Sequence, residues 1–261
     1  MIITLLQYLL SVVSGVAVGF SLGLIGGGGS ILAIPLLLYF VGIDDPHVVI
    51  GTTALAVGIN AYINSISHWR RHNINFKVGL IFSAMGVIGV LLGTTLGLIT
   101  KGDLLLFIFS FLMMGIGIYI FVTRCRKPSA DSSEKASEIG KPANISAFGV
   151  LAGFASGFFG IGGGFLIVPS ILYSSNLNIN RAVGTSLIAV GTFGIVTAIR
   201  YGIAGQLLIP IALLYVIGGI FGGVVGSRIS SGMDKTLLRR IFALIIIAVG
   251  IYVAIQNISA L

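Results

Sequence analysis

The groups best placed to do chemistry in this chain are main-chain amides laid bare by glycine. Gly26, Gly27, Gly28, Gly29 and Ser30 form one run, followed by Pro35; Gly160, Gly162, Gly163 and Gly164 form a second, broken only by Ile161 and followed by Pro169. The two segments superpose at a constant offset of 134 positions, which also pairs Gly23 with Gly157 and Tyr39 with Tyr173. A glycine run that interrupts a helix frees backbone N–H groups, and the helix that follows aims the positive end of its dipole at them. Bare glycine backbone also lets a ligand oxygen approach closely. Such chemistry suits an oxyanion. Ser30, Thr52, Thr53, Asn60 and Asn64 in the first half, with Thr185, Ser186 and Thr192 in the second, supply hydroxyls and amides that would complete the cradle. Pro35 and Pro169 suit the first turn of a helix, where the missing N–H has no intrahelical role.

Other chemistries lack their residues. The acidic side chains are Asp44, Asp45, Asp103, Asp131, Glu134, Glu138 and Asp234, and the histidines are His47, His68 and His72. All are expected in loops or in the central polar stretch. With no carboxylate or imidazole expected at mid-membrane, cation binding and proton relay lack their usual groups. Hydrolysis within the membrane lacks a nucleophile with a base in reach. No catalytic residue is therefore expected. The single Cys125 excludes an intramolecular disulfide and a cysteine-only metal site, so neither metal nor cofactor is expected.

The elements that must position the glycine runs are membrane helices. Of the 261 residues, 56% are hydrophobic and 8% charged, against roughly 25% charged in a water-soluble domain. Mean hydropathy is +1.11. Thirty-eight glycines fit a membrane bundle, in which small residues let backbones approach. The net charge of +8 lies mainly in short loops, the distribution that sets membrane orientation, and gives no reason to expect a nucleic-acid partner. Residues 1–20 lack a basic leading region and run into the first glycine motif, so they read as a retained helix rather than a signal peptide.

A span needs about 20 apolar residues. Segments 2–24, 48–67, 76–98, 104–122, 145–159, 182–199, 206–225 and 237–255 meet or approach that length. Segments 31–41 and 165–173, just after the glycine runs, are too short to cross and read as half-helices or re-entrant pieces. The expectation is an all-α polytopic membrane protein of two repeats, 1–123 and 144–261, joined by a polar linker at 124–143. Each repeat holds four spanning helices and one short broken helix.

Beyond the glycine runs the halves match at an offset of 133: Gly51, Thr52, Thr53 and Gly58 meet Gly184, Thr185, Ser186 and Gly191. Gly86, Gly89 and Gly93 meet Gly219, Gly222 and Gly226. The ladders Gly89/Gly93/Gly97 and Gly218/Gly222/Gly226 read as tight helix packing, and they would also serve a homodimer contact. The basic loops at 68–72 and 124–127 should be cytoplasmic, and in the second half those at 178–181 and 228–240. Loop 201–205, the counterpart of loop 68–72, then falls outside. Equivalent loops lie on opposite faces, so the repeats are expected to be inverted, with both termini outside. Arg70, Arg71, Arg239 and Arg240 read as orientation signals; Arg200, at an outer helix end, could snorkel or attract anions.

The paired Gly-x-x-Gly-x-Gly-Gly motifs with their following prolines, each trailed about 15 residues later by Gly-Thr-(Ser/Thr), resemble the sulfite exporter TauE/SafE family. That family is also called the 4-toluene sulfonate uptake permease family. The resemblance covers both halves and implies a plasma-membrane permease for organosulfur anions such as sulfite, sulfoacetate or sulfonates. By motif position it reaches Gly26, Gly28, Gly29 and Pro35, then Gly160, Gly162, Gly163 and Pro169. Ser30 stands where the second copy has Gly164, so the two half-sites are chemically unequal. The expected partners are a small anionic substrate and the lipid bilayer. An anion channel and a non-transporting membrane assembly factor are the alternatives.

Overall fold

The computed structural model describes residues 4–25, 29–122, 141–160, 162, 164–175, 177–230 and 235–258. Among them all regular structure is helical. The first five elements are α1 (Leu5–Ile25), a short α2 (Gly29–Phe40), α3 (Pro46–Arg70), α4 (Phe76–Ile99) and α5 (Gly102–Val122). The last five repeat the pattern: α6 (Pro142–Phe159), a short α7 (Gly164–Ser174), α8 (Ile179–Ile203), α9 (Ile209–Ser230) and α10 (Lys235–Gln256). The chain is an all-α polytopic membrane protein.

Local chemistry starts and stops these helices. Asp45 caps α3, its carboxylate accepting from the His47 N–H at 2.9 Å, with Pro46 at the first helical position. Asn75 and Asn178 cap α4 and α8 through the N–H groups of Val78 (3.2 Å) and Arg181 (3.0 Å). Asp103 and His47 lie in first turns and His68 in a last turn, not in loops. A first-turn acid and a last-turn base both complement the helix dipole, which is why these ends extend past the apolar runs.

Seven helices among the described residues are long and apolar enough to cross a membrane: α1, α3, α4, α5, α6, α8 and α9. The remaining long helix, α10, has 22 residues, and its portion Arg240–Gln256 is apolar.

Packing follows glycine. The α1 helix lies along α9 and α6 along α4, while α3 meets α8 and α5 meets α10. Each of these contacts has a counterpart when the first five elements are exchanged with the last five. The glycines show it residue by residue. A methyl on Gly19 would strike the carbonyl of Gly219, and one on the equivalent Gly153 would strike that of Gly86. Likewise Gly222 abuts Val16, and Gly89 abuts Val150. Backbones this close gain dispersion contacts that any side chain would prevent. At the centre, α3 and α8 have 61% and 67% of their span windows buried, against 28% for α1.

Candidate functional site

Two glycines of the second run, Gly160 and Gly162, have a left-handed backbone. The α6 helix ends at Gly160, whose φ of +67° is left-handed and whose N–H donates to the Ser156 carbonyl at 2.8 Å. Gly162 follows with a φ of +65°. Both values disfavour any residue with a Cβ, which accounts for the glycines directly. A methyl on Gly162 would approach Val57 of α3 at 3.0 Å and Val190 of α8 at 3.3 Å. The turn therefore presses against the junction of the two central helices.

In the first run, Gly26, Gly27 and Gly28 lie outside the described residues, as does Gly163 in the second. Gly29 opens α2 and is buried against α1, where a Cβ would meet the Leu22 nitrogen at 2.5 Å. The α2 segment is irregular along its length: a 3-10 turn over Gly29–Leu32, an α turn over Ala33–Pro35 and a π turn over Leu36–Phe40. Pro35 and Pro169 do not begin their helices as expected. Each sits inside a short one, where its missing N–H leaves the carbonyl of Ile31 or Phe165 without an α-helical donor.

The two motifs converge. Ser30 near the start of α2 and Gly164 at the start of α7, the same position in the two copies, line one cavity. Val57 and Val190, also counterparts, face it, with Leu22, Ala61, Asn64 and Leu187 completing the wall. Its volume is about 10 Å³, room for roughly one water molecule. Ser30 and Asn64 are the polar side chains on this wall. Sequence reasoning passed over the five aliphatic residues because nothing in one dimension distinguishes a cavity-lining valine from a core valine. The matched register of Val57 and Val190 was the available signal.

Most of the expected hydroxyls are engaged elsewhere. Thr52 Oγ1 accepts from the Leu208 N–H at 3.1 Å, and its counterpart Thr185 accepts from the Asn75 N–H at 2.9 Å. Each threonine thus ties a central helix to the loop leading into α9 or α4 in the other half of the chain. Thr53 donates to the Val49 carbonyl (2.8 Å), and its counterpart Ser186 donates to that of Val183 (2.8 Å). Small hydroxyls on a helix surrounded by apolar side chains take the nearest carbonyl. Thr192 does so with Ile188 and also meets the Tyr62 hydroxyl at 2.9 Å. Asn60 is buried against Gly219 of α9 and is absent from the cavity wall. Pro35 faces an apolar groove on the opposite side of α2.

Charge is confined to helix ends among the described residues. His47 Nε2 lies 3.2 Å from the Gly97 carbonyl and 3.1 Å from that of Thr100, stitching α3 to the end of α4. Arg200 donates to Thr95 at 3.0 Å across the α8–α4 seam. No group of three or more His, Cys, Asp and Glu that could hold a metal occurs among the described residues. The residues lining the central cavity include one side chain with a hydroxyl, Ser30, one with a carboxamide, Asn64, and none with a formal charge.

Comparison with known proteins agrees with this architecture. A family model described as "Sulfite exporter TauE/SafE" matches residues 11–253. A probable membrane transporter protein of Xylella fastidiosa (strain 9a5c) is 43% identical over 253 residues, covering 96% of each chain. The probable membrane transporter protein YdhB of Bacillus subtilis (strain 168) is 26% identical, covering 92% of this chain and 94% of its own. The probable membrane transporter protein MJ0441 of Methanocaldococcus jannaschii is 28% identical, covering 94% of this chain and 96% of its own. No solved structure matches the chain. Helices long and apolar enough to cross a bilayer and a family match over residues 11–253 make this integral membrane transporter a member of the sulfite exporter TauE/SafE family.

Proposed function

We propose that the protein carries a small sulfur-containing oxyanion, sulfite or a sulfonate, across the plasma membrane by alternating access, with net movement outward. The observation that supports this reading is the meeting of Ser30 and Gly164, each at the start of a short helix, on one central cavity. The first N–H groups of a helix have no intrahelical partner, and the dipole there favours negative charge. The proposed contacts are the main chain of Gly26, Gly27, Gly28, Gly29, Gly160, Gly162, Gly163 and Gly164, with Ser30 and Asn64. Thr52, Thr53, Thr185 and Ser186 hold the frame around them.

The central cavity has room for about one water, so in this reading the starts of α2 and α7 separate before a sulfonate loads. We place the linker at 124–143 in the cytoplasm, both termini outside and the two halves in inverted orientation; the distribution of basic loops supports the sides, and the exchange symmetry of the helix contacts supports a two-fold relation between the halves. The membrane potential supplies about 2.3 kcal/mol per charge per 100 mV and drives anions outward when the interior is negative.

Purified protein should melt at a higher temperature with sulfite, sulfoacetate or taurine than with chloride, because a ligand of the native state stabilises it by mass action. Efflux of the stabilising anion from proteoliposomes should follow an imposed potential. Stabilisation by none of the sulfur compounds would refute the substrate class. A flux that ignores the potential but follows a pH gradient would refute the driving force.

A further inference from the structure

We infer that Ser156 and Thr197 line the outward half of the substrate path, in a second cavity that is the counterpart of the central one; the inference rests on the carrier reading above. Exchange of the two halves maps part of the cavity wall onto itself, Ser30 with Gly164 and Val57 with Val190. The rest of the wall is one-sided. Leu22, Ala61, Asn64 and Leu187 line the cavity, whereas their counterparts Ser156, Gly194, Thr197 and Ala54 do not. On the sides proposed above, Asn64 lies toward the cytoplasm and Thr197 toward the outside.

The counterparts are polar and unpaired. Ser156 is 1% exposed and Thr197 0%, and neither hydroxyl has a hydrogen-bond partner among the described residues. A buried hydroxyl on a helix ordinarily takes the carbonyl one turn back, as Thr53 and Ser186 do here. Unpaired buried hydroxyls are uncommon because they are costly, so a pair of them marks a place that receives a polar group. The helices close over that place. A methyl on Gly194 would meet the Ala54 carbonyl at 2.7 Å, while the equivalent Ala61 carries its methyl and still faces the cavity. The α3 and α8 helices therefore cross tightly toward Thr197 and part toward Asn64.

The pairing continues one turn further along each helix. Tyr201 follows Thr197 as His68 follows Asn64, and each buries a polar atom with no partner among the described residues. The Tyr201 hydroxyl presses on the last turn of α4, where a Cβ on Gly97 would meet it at 2.8 Å. Its ring stacks on His47 with centroids 6.3 Å apart, so Tyr201 covers the outward end. Two halves that share a backbone plan can trade arrangements. The crossing that is open toward Asn64 in this state then opens toward Thr197 in the other, and two hydroxyl donors meet the anion there.

The test begins by replacing Cys125 with Ser, which leaves no other thiol. Thr197→Cys and Asn64→Cys are then exposed to a membrane-impermeant anionic thiol reagent in right-side-out and inverted vesicles. Thr197→Cys should react from the outside and Asn64→Cys from the cytoplasmic side; Ser156→Cys makes the same test should Thr197→Cys fail to fold. Thr197→Val, of the same shape without the hydroxyl, should cut sulfoacetate flux about tenfold, the loss of one hydrogen bond to a charged group, without lowering the melting temperature. A parent that transports while its folded Thr197→Cys and Ser156→Cys variants are inert from both sides would overturn the second cavity and leave the carrier standing. So would reaction of Thr197→Cys from the same side as Asn64→Cys, or full flux through Thr197→Val. A parent that moves no sulfur anion, with the two cysteines still reacting from opposite sides, would sink the carrier reading and support the second cavity.

Discussion

Two seams of this molecule share a backbone plan and differ in what fills it. In one, α6 lies along α4 beside α8; in the other, α1 lies along α9 beside α3. Gly149 faces the Phe82 carbonyl in the first, and its counterpart Gly15 faces the Tyr215 carbonyl in the second. In the first seam Phe193 stacks on Phe82, with ring centroids 6.2 Å apart, and crowds Gly86. The equivalent positions in the second are Asn60, Tyr215 and Gly219. Both seams bury hydroxyls that have no hydrogen-bond partner among the described residues, Tyr215 and Ser14 in the second and Ser83 and Ser156 in the first. Glycine on both sides preserves the backbone approach, so the side chains were free to diverge. One seam centres on an aromatic pair, whereas the other sets a tyrosine and a carboxamide, Tyr215 and Asn60, at the same two positions.

Three experiments would break or sharpen that contrast. The largest effect should come from Phe193→Ala, which empties the aromatic seam and should cost about 3–5 kcal/mol in thermal unfolding. Asn60→Ala should cost clearly less, because a smaller side chain leaves a smaller void. Equal losses would erase the distinction. Next, Gly19→Ala and Gly153→Ala should each destabilise by about 1–3 kcal/mol through overpacking of backbone on backbone. The two should agree within about 0.5 kcal/mol, since they are equivalent and far apart. A tolerated Gly19→Ala beside a damaging Gly153→Ala would show that the shared backbone plan is looser in one seam. Smallest is Tyr215→Phe, expected to change stability by less than about 1 kcal/mol and toward greater stability, since it removes a hydroxyl with no partner. The mirror change Phe82→Tyr should destabilise by about 1–3 kcal/mol. Destabilisation by Tyr215→Phe would mean that the hydroxyl is satisfied in solution, for instance by a buried water.

Much of the fold was legible in one dimension, and the reasons are local. The expected segment at 76–98 became α4, and the two short segments became α2 and α7. Helix ends were less legible: α3 runs on to Arg70, past the last apolar residue, because a basic last turn suits the helix terminus. Of the expected cradle, the glycine break was legible in one dimension and the partners of the side chains were not. The break at Gly160 and Gly162 follows from residues that tolerate positive φ. Thr52 and Thr185 have the right type and register for a ligand cradle, yet each accepts from an N–H more than 100 positions away. Asn64, at the edge of the expected cradle, reaches the cavity, while Asn60, one turn earlier, turns toward α9. Four residues along a helix keep roughly one face, but which neighbour covers each turn of that face is a property of the bundle.

Hydropathy and glycine placement alone locate the membrane segments, the duplication and the two points where helices break. These depend on solvent and on the conformational freedom of single residues, so they are written residue by residue. Partnership is different. That α1 lies on α9 rather than on its neighbour in sequence, that the threonine hydroxyls serve as ties, and that the centre closes to one water's room all depend on surfaces brought together from distant parts of the chain. Close packing admits few arrangements of such surfaces, and the winner is chosen by their joint shape, which no single segment contains.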